Sequence, residues 1–240
     1  MCKFCDLTPN LPHFARCLLL AGLILLVLAL ILHVRDCVRE HFTIGETRPV
    51  RSQVDGMSYM VHTKHANSQG AADLLATLSQ RMTDLMRWLR RRYIGSPGSP
   101  PTSPVTTPAR VSVVHNLQRR FNPDNFAENS PLDTSGDSSY CLDKGAMIAV
   151  CLRARPGGET PAGELHNIGI LTFVTIHEIA HSAIEEVDHP PHFWSTFKFL
   201  LEEARLSGVY KSPNFANAPL NYCGVRVNYN PLFDVGLPSI

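Results

Sequence analysis

The chain has little net charge and so lacks the electrostatic signature of a nucleic-acid-binding protein. Its 240 residues include 22 Lys and Arg against 21 Asp and Glu, which gives a formal net charge of +1 at pH 7. Proteins that bind nucleic acid through their overall field are strongly basic, because they must neutralise several phosphates. No nucleic-acid partner is therefore evident from composition.

The chain also has too few cysteines, and too uneven a distribution of them, for a disulfide framework. Seven is an odd number, and the cysteines are spread over 240 residues in two groups. This argues against a disulfide-stapled fold. The Cys2-x-x-Cys5 spacing has no second pair, so we interpret it as incidental or as lipidation near a membrane. The first group is Cys2, Cys5, Cys17 and Cys37, and the second is Cys141, Cys151 and Cys223.

One long hydrophobic run lies near the N-terminus, at residues 17–34, and it contains no charged residue before Arg35. Its length is at the short end of what spans a bilayer, so we predict a single transmembrane anchor there. A polar segment (1–16) precedes it and a juxtamembrane stalk (35–53) follows. A cleaved signal peptide fits less well, because no small-residue cleavage site follows the run. A buried core helix also fits less well, because the run is apolar on every face.

Basic residues are more numerous after the hydrophobic run than before it. Positive charge favours the cytosolic side, so we predict a single-pass membrane protein with a cytosolic C-terminal body. The chain contains no Asn-x-Ser/Thr glycosylation site, which is compatible with that orientation. Lys3 and Arg16 precede the run, and Arg35, Arg39, Arg48 and Arg51 follow it.

Hydrophobic periodicity and turn residues outline a folded body at residues 54–240. Apolar residues at three- and four-residue steps predict a long amphipathic helix at residues 71–93. Alternating and turn patterns predict a β-hairpin at residues 139–153. The Pro/Ser/Thr/Gly-rich residues 95–108 predict a disordered loop. We further expect a short helix at 109–121, an amphipathic helix from about 193 to 204, and an irregular tail over 210–240.

The apolar run at residues 171–181 ends in His177-Glu178-x-x-His181. On an α-helix, positions i and i+4 lie on one face, so both imidazoles can reach one ion. Glu178 lies on an adjacent face, from which its carboxylate can reach a water without binding the metal. The five residues alone are equally compatible with a buried amphipathic helix that carries two histidines on its polar edge.

A third histidine, His189, follows eight residues after His181. A catalytic zinc has three protein ligands and one open position, and the loop at residues 182–188 is long enough to bring His189 back to the helix. We therefore predict a Zn²⁺ site at His177, His181 and His189, with Glu178 as the catalytic residue. Glu185 or Glu186 is the alternative third ligand, since a carboxylate fills that position in other zincins.

The zinc motif and four further stretches together resemble the WLM/SprT-like zinc metallopeptidases. The resemblance is closest to the WLM-like metallopeptidases encoded by large DNA viruses, and it covers residues 54–240. The zinc-motif part is His177-Glu178-x-x-His181 followed by His189-x-x-x-Phe193-Trp194. The four stretches are Arg120 to Asn125, two parts of the predicted hairpin counted as one (Leu142 to Gly145 with Cys151 to Arg153), Leu165 to Asn167, and Asn221 to Gly224. The Pro-rich residues 95–108 depart from the pattern and resemble an insertion in a permissive place.

The resemblance implies an α+β, zincin-like metallopeptidase domain of helices plus a small sheet, here behind the predicted transmembrane helix. It also implies three histidine ligands and Glu178 as the general base for hydrolysis of a protein or peptide substrate. Glu178 would take a proton from the attacking water and pass it to the leaving amine. Four residues are candidates for stabilising the oxyanion: His192, Tyr210, Tyr222 and Arg226.

Two other functions stay open from the sequence. The first is a structural, virion-associated membrane protein with a retained zinc-binding fold, which would contact virion or capsid proteins in the virion membrane. The intact Glu178 disfavours it, because a structural site has no need of a base. The second is an adaptor that binds a partner through Pro-x-x-Pro at residues 97–100 and 101–104, although no basic residue flanks these motifs.

Overall fold

The computed structural model describes residues 21–29, 47–129, 138–156, 161–211 and 213–240. It divides into an N-terminal unit, Met1–Glu46, and a larger unit, Thr47–Ile240. In the N-terminal unit the described residues 21–29 are helical and exposed. The rest of the predicted polar segment, anchor and stalk up to residue 46 lies outside the described residues.

The predicted transmembrane anchor requires correction. No helix among the described residues is long and apolar enough to cross a membrane. The predicted fold class placed a transmembrane helix before a zincin-like domain, and this prediction of a transmembrane helix is wrong. The prediction of single-pass membrane localisation, which depended on this helix, is wrong with it, and the predicted cytosolic orientation of the body loses its basis.

The larger unit is built on a five-stranded mixed sheet with the order β1-β2-β3-β5-β4. Strands β2, β3 and β5 run parallel to one another, and β1 and β4 pair antiparallel at the two edges. A second, two-stranded sheet pairs β6 with β7. The strands are β1 (Thr47–Arg51), β2 (Ser58–His62), β3 (Phe126–Asn129), β4 (Tyr140–Leu142), β5 (Met147–Cys151), β6 (Leu220–Tyr222) and β7 (Val225–Val227).

Strand β1 begins at Thr47, inside the segment that the sequence assigned to a stalk. Its Arg48 and Pro49 are exposed at the edge of the sheet. Charged residues and proline are typical of edge strands, because they oppose pairing with another chain. The same residues make the strand look like a charged linker in the sequence.

Four α-helices contribute most of the core, and their positions agree with the helices predicted from periodicity. Large apolar side chains such as Leu75, Leu78, Leu117, Ile176 and Phe197 are almost completely buried between helices and sheet. The helices are α1 (Ser68–Tyr93), α2 (Pro108–Arg120), α3 (Ile168–Ala183) and α4 (Pro191–Leu206), followed by a 3₁₀ turn at Pro231–Phe233. The part of the prediction that specified helices plus a small sheet therefore agrees with the structure.

The Pro-rich residues 95–108 lie against the end of α1, where the sequence predicted a disordered loop. The amides of Thr102 and Ser103 donate to the carbonyls of Arg91 and Arg92, at 3.3 and 2.9 Å. These carbonyls are in the last turn of α1 and have no partner within the helix, so the loop satisfies them. Thr107 then caps α2 by accepting a hydrogen bond from the Arg110 amide.

The C-terminal tail is more ordered than the sequence predicted. It contains the β6–β7 hairpin, whose turn residues Cys223 and Gly224 both have positive φ. A disulfide joins Cys223 to Cys151 at the end of β5, across a sequence separation of 72 residues. The sequence argued against a disulfide framework and did not identify this single pairing, which fixes the hairpin to the central sheet.

We expect Cys223→Ser to lower the free energy of unfolding by about 2–5 kcal/mol, because the cross-link closes a long loop in the unfolded chain. Urea unfolding of the oxidised full chain measures the loss. A dithiol reductant should lower the stability of the wild type by a similar amount and leave the variant unchanged. Equal midpoints for the oxidised wild type and the variant would contradict the prediction.

Candidate metal centre

Helix α3 carries the first two histidines and begins at a well-defined cap. The Asn167 side chain accepts hydrogen bonds from the amides of Gly169 and Ile170, at 2.9 and 3.2 Å, as predicted for this residue. The helix interior is apolar and buried on nearly every face. This burial fixes the rotation of α3, so that His177 and His181 project from the same side, one turn apart.

The third histidine comes from the loop between α3 and α4, which neighbouring elements hold in place. Arg120 donates to the Ser182 carbonyl at 2.9 Å and forms an ion pair with Glu185. Lys144, in the β4–β5 turn, donates to the Glu186 carbonyl at 2.8 Å. These contacts position the chain just before His189.

The β4–β5 turn can approach this loop because Gly145 follows Lys144. Gly145 has φ +118°, and a Cβ there would lie 2.6 Å from the Arg120 carbonyl oxygen. A side chain would therefore push the turn away from the end of α2. The glycine thus allows Lys144 and Arg120 to act on the same loop.

The structure brings His177, His181 and His189 together. One ring nitrogen from each lies within 4.8 Å of the other two, and no further cluster of this kind occurs among the described residues. The Nε2 atoms of His177 and His189 are 2.9 Å apart. Two nitrogens bound tetrahedrally to one zinc at 2.0–2.1 Å are about 3.3 Å apart, so a small movement would admit an ion.

The three imidazoles are electrostatically suited to bind a cation. Burial, with the proximity of His181 and His189, lowers the pKa of His177 to about 3. Burial and nearby His189 lower the pKa of His181 to about 4, and burial also lowers the pKa of His189. Each of these shifts favours the neutral ring, which has a lone pair available for a metal. Three nitrogen ligands of this kind fit Zn²⁺.

Aromatic side chains from the first turns of α4 pack against the histidines. The Phe193 ring stacks on His181 with a centroid distance of 4.4 Å and an interplanar angle of 29°. Trp194 packs against His189 at 5.6 Å and 30°. These contacts restrict rotation of the rings and keep water from their outer faces, which preorganises the cluster.

Glu178 lies beside the histidines and at the edge of a cleft. Its side chain is buried, and the residue is 6% exposed. The cleft has a volume of about 620 Å³ and is also bordered by His177, His181 and His189. Its opposite wall is formed by β4 with the residues around it, including Ser139 and Lys144. The cleft is therefore open to a molecule that can contact the histidines and Glu178 at once.

Two groups on the sheet side of the cleft are close enough to Glu178 to be affected by its charge. Burial raises the pKa of the Cys141 thiol, and the Glu178 carboxylate raises it further. Burial also raises the pKa of the Tyr222 hydroxyl, and the Glu178 carboxylate raises it further. The Tyr222 hydroxyl is 2.7 Å from Ser139 Oγ. Of the four candidates for stabilising an oxyanion, Tyr222 interacts with the charge of Glu178, but it is 1% exposed and is not among the residues that line the cleft.

The other three candidates also lie outside the residues that line the cleft. Tyr210 is buried, and its amide donates to the Ala204 carbonyl of α4 at 3.1 Å. Nε2 of His192 is 2.8 Å from the Glu186 carboxylate, and both side chains are largely exposed. Arg226 is exposed on β7 and donates to Asn221. Glu185 pairs with Arg120. The cluster of possible metal ligands contains neither Glu185 nor Glu186. The alternative of a carboxylate as third ligand does not match this geometry.

Sequence reasoning missed the wall formed by Ser139 and Cys141, and it assigned Lys144 only to a turn. These residues contact the site through the pairing of β4 with β5, 30 or more positions before the zinc motif. No local pattern in the sequence records that contact. The predicted hairpin was the available signal, since it already placed Lys144 at a tight turn.

Comparisons with known proteins find viral relatives. The chain is 28% identical over 186 residues to "Uncharacterized protein R325" of Acanthamoeba polyphaga mimivirus, which covers 78% of this chain and 85% of that protein. It is 33% identical over 89 residues to "Uncharacterized protein 136R" of Invertebrate iridescent virus 6, covering 37% of this chain and 46% of that protein. The relatives are viral proteins, in agreement with the viral affinity expected from the sequence.

No protein-family profile matches the chain, and no solved structure matches it. The names of the two viral relatives describe no activity. The function must therefore be argued from the site itself.

Proposed function

We propose that this protein is a zinc-dependent metallopeptidase of the WLM/SprT-like kind, which hydrolyses peptide bonds in a protein or peptide substrate. The observation that carries the proposal is the buried carboxylate of Glu178 beside three neutral histidines in one open cleft. Structural zinc sites use four protein ligands and are closed, whereas catalytic sites use three and keep a position open. Three histidines beside a cleft match the catalytic pattern.

His177, His181 and His189 would bind the metal. A zinc ion at such a site supplies a Lewis acid that lowers the pKa of a water and polarises the substrate carbonyl. Glu178 is one residue from His177 on α3, so its carboxylate is fixed by the helix rather than by a flexible loop. It would accept a proton from the attacking water and donate it to the departing amine.

The shape of the cleft favours a peptide as the substrate. Strand β4 forms one wall, and within the described sheet it is an edge strand, with β5 as its neighbour on one side. The cleft has a volume of about 620 Å³ and is lined both by this strand and by the histidines, so it has room for a short extended segment of a peptide.

The test combines metal analysis with cleavage by the full chain. We expect about one zinc per chain by elemental analysis, and cleavage of an unfolded protein substrate that stops after treatment with a chelator. Readdition of zinc should restore cleavage. A chain that binds zinc but cleaves no member of a broad peptide library would overturn the peptidase assignment in favour of a zinc-stabilised structural protein.

A further inference from the structure

A second, apolar pocket lies next to the histidine cluster, on the side of α4. It has a volume of about 460 Å³ and is lined by His189, Pro191, Trp194, Tyr229 and Leu237. Volumes of about 300–1,000 Å³ are usual for pockets that bind small ligands. The pocket is thus large enough to enclose a big side chain.

The pocket is held in shape by contacts around its rim. The Tyr229 ring packs edge-to-face on Trp194 at 5.6 Å, and its hydroxyl donates to the Asp234 carboxylate at 2.8 Å. The Leu237 amide donates to the same carboxylate at 3.2 Å. Lys198 of α4 donates to the carbonyls of Asp234 and Leu237, at 2.6 and 2.7 Å. These bonds tie the C-terminal segment to α4 and preform the pocket.

His189 borders both the apolar pocket and the cleft that contains Glu178. The two cavities are therefore adjacent, with one metal-binding side chain between them. A peptide whose carbonyl reaches the histidine cluster has side chains a few ångströms along the chain on either side of that carbonyl. One of these side chains can enter the apolar pocket.

We propose that this pocket is a specificity subsite, which accepts a large apolar side chain, aromatic or branched aliphatic, next to the peptide bond that is cleaved. The inference rests on the proposed peptidase function and names its substrate class. The Tyr229 hydroxyl already donates to Asp234. Apart from His189, the lining is therefore mainly apolar, with Pro191, the aromatic rings of Trp194 and Tyr229, and Leu237. Such a lining gains free energy from apolar groups and penalises charged ones.

The first experiment maps the cleavage sites of the full chain, loaded with zinc, on a mixture of denatured proteins by mass spectrometry. We expect large apolar residues to be enriched at one fixed position beside the cut. Leu237→Trp fills the pocket and should lower kcat/KM for a phenylalanine peptide by on the order of tenfold or more, relative to the matched alanine peptide. Val235→Trp is the control, because Val235 is on the same segment and is fully exposed.

The second experiment measures binding without catalysis. Isothermal titration calorimetry of the metal-free full chain uses two blocked peptides that are identical except for one central residue, which is phenylalanine or alanine. The phenylalanine peptide should bind more tightly to the wild type and to Val235→Trp, and this advantage should disappear in Leu237→Trp.

The outcomes separate the two proposals. Cleavage without any preference, or a preference that Leu237→Trp leaves intact, would overturn the subsite and leave the peptidase standing. Selective binding of the phenylalanine peptide by a chain that cleaves nothing would support the pocket and overturn the peptidase. Equal binding of both peptides to the wild type would also overturn the subsite.

Discussion

Glu178→Gln is expected to lower kcat by about two to four orders of magnitude, which is the usual contribution of a positioned general base. Gln has the size of Glu and cannot take a proton from the attacking water. Zinc binding and folding should be unchanged, because Glu178 lies outside the group of nitrogen ligands. The measurement is the rate of cleavage of an unfolded protein by the full chain, at equal zinc content in both proteins.

A matched control for this experiment is Glu186→Gln. Glu186 is in the loop that leads to His189, where it pairs with His192, but its carboxylate is exposed and lies outside the histidine cluster. This variant should cleave at close to the wild-type rate. If Glu178→Gln cleaved as fast as Glu186→Gln, the proposed mechanism would be wrong.

The helices and the histidine cluster could be predicted from the sequence, because both depend on the local geometry of the α-helix. Apolar residues recur at helical spacing over residues 71–93, and burial of that stripe determines where α1 forms. His177 and His181 are brought together by the helix itself, since i and i+4 are neighbours on any α-helix. His189 needed only a short loop to return. The geometry of one helix and one short loop therefore allowed most of the candidate metal centre to be predicted from the sequence.

Features that depend on distant contacts could not be predicted from the sequence. Strand β1 is formed by pairing with β2 and carries the exposed charges of a linker. Cys151 and Cys223 are 72 residues apart, and only the fold shows that they meet. The error at the N-terminus had another origin. An apolar run indicates suitability for a membrane, but none of the helices that the structure describes is long and apolar enough to span one.

The residues that line the cleft show the same contrast between features set by local sequence and features set by distant contacts. Lys144 could be placed at a turn because Asp-Lys-Gly follows a strand pattern, and all three residues have positive φ. Its role in supporting the His189 loop depends on the approach of that turn to α2. The apolar pocket needs residues from α4 and from the tail, so it too could be found only in the folded chain.

His189→Ala is expected to weaken zinc binding by at least about 100-fold, since loss of a ligand should cost no less than loss of a supporting contact around it. Of the three histidines, His189 is the one whose assignment rests on a loop rather than on the helix of the motif. Competition with a fluorescent chelator measures the affinity of the full chain. A second readout is thermal unfolding, because zinc at 100 times its dissociation constant stabilises a folded protein by about 2.7 kcal/mol.

His192→Ala is the matched control for His189→Ala. It removes the same kind of side chain three residues away, from an exposed position whose ring nitrogen contacts Glu186 rather than the cluster. This variant should keep both its zinc affinity and the stabilisation by zinc, whereas His189→Ala should lose most of both. Full zinc affinity in His189→Ala would contradict the assignment. If Glu186→Ala then lost the metal, the third ligand would be that carboxylate, and the loop would have to rearrange on binding.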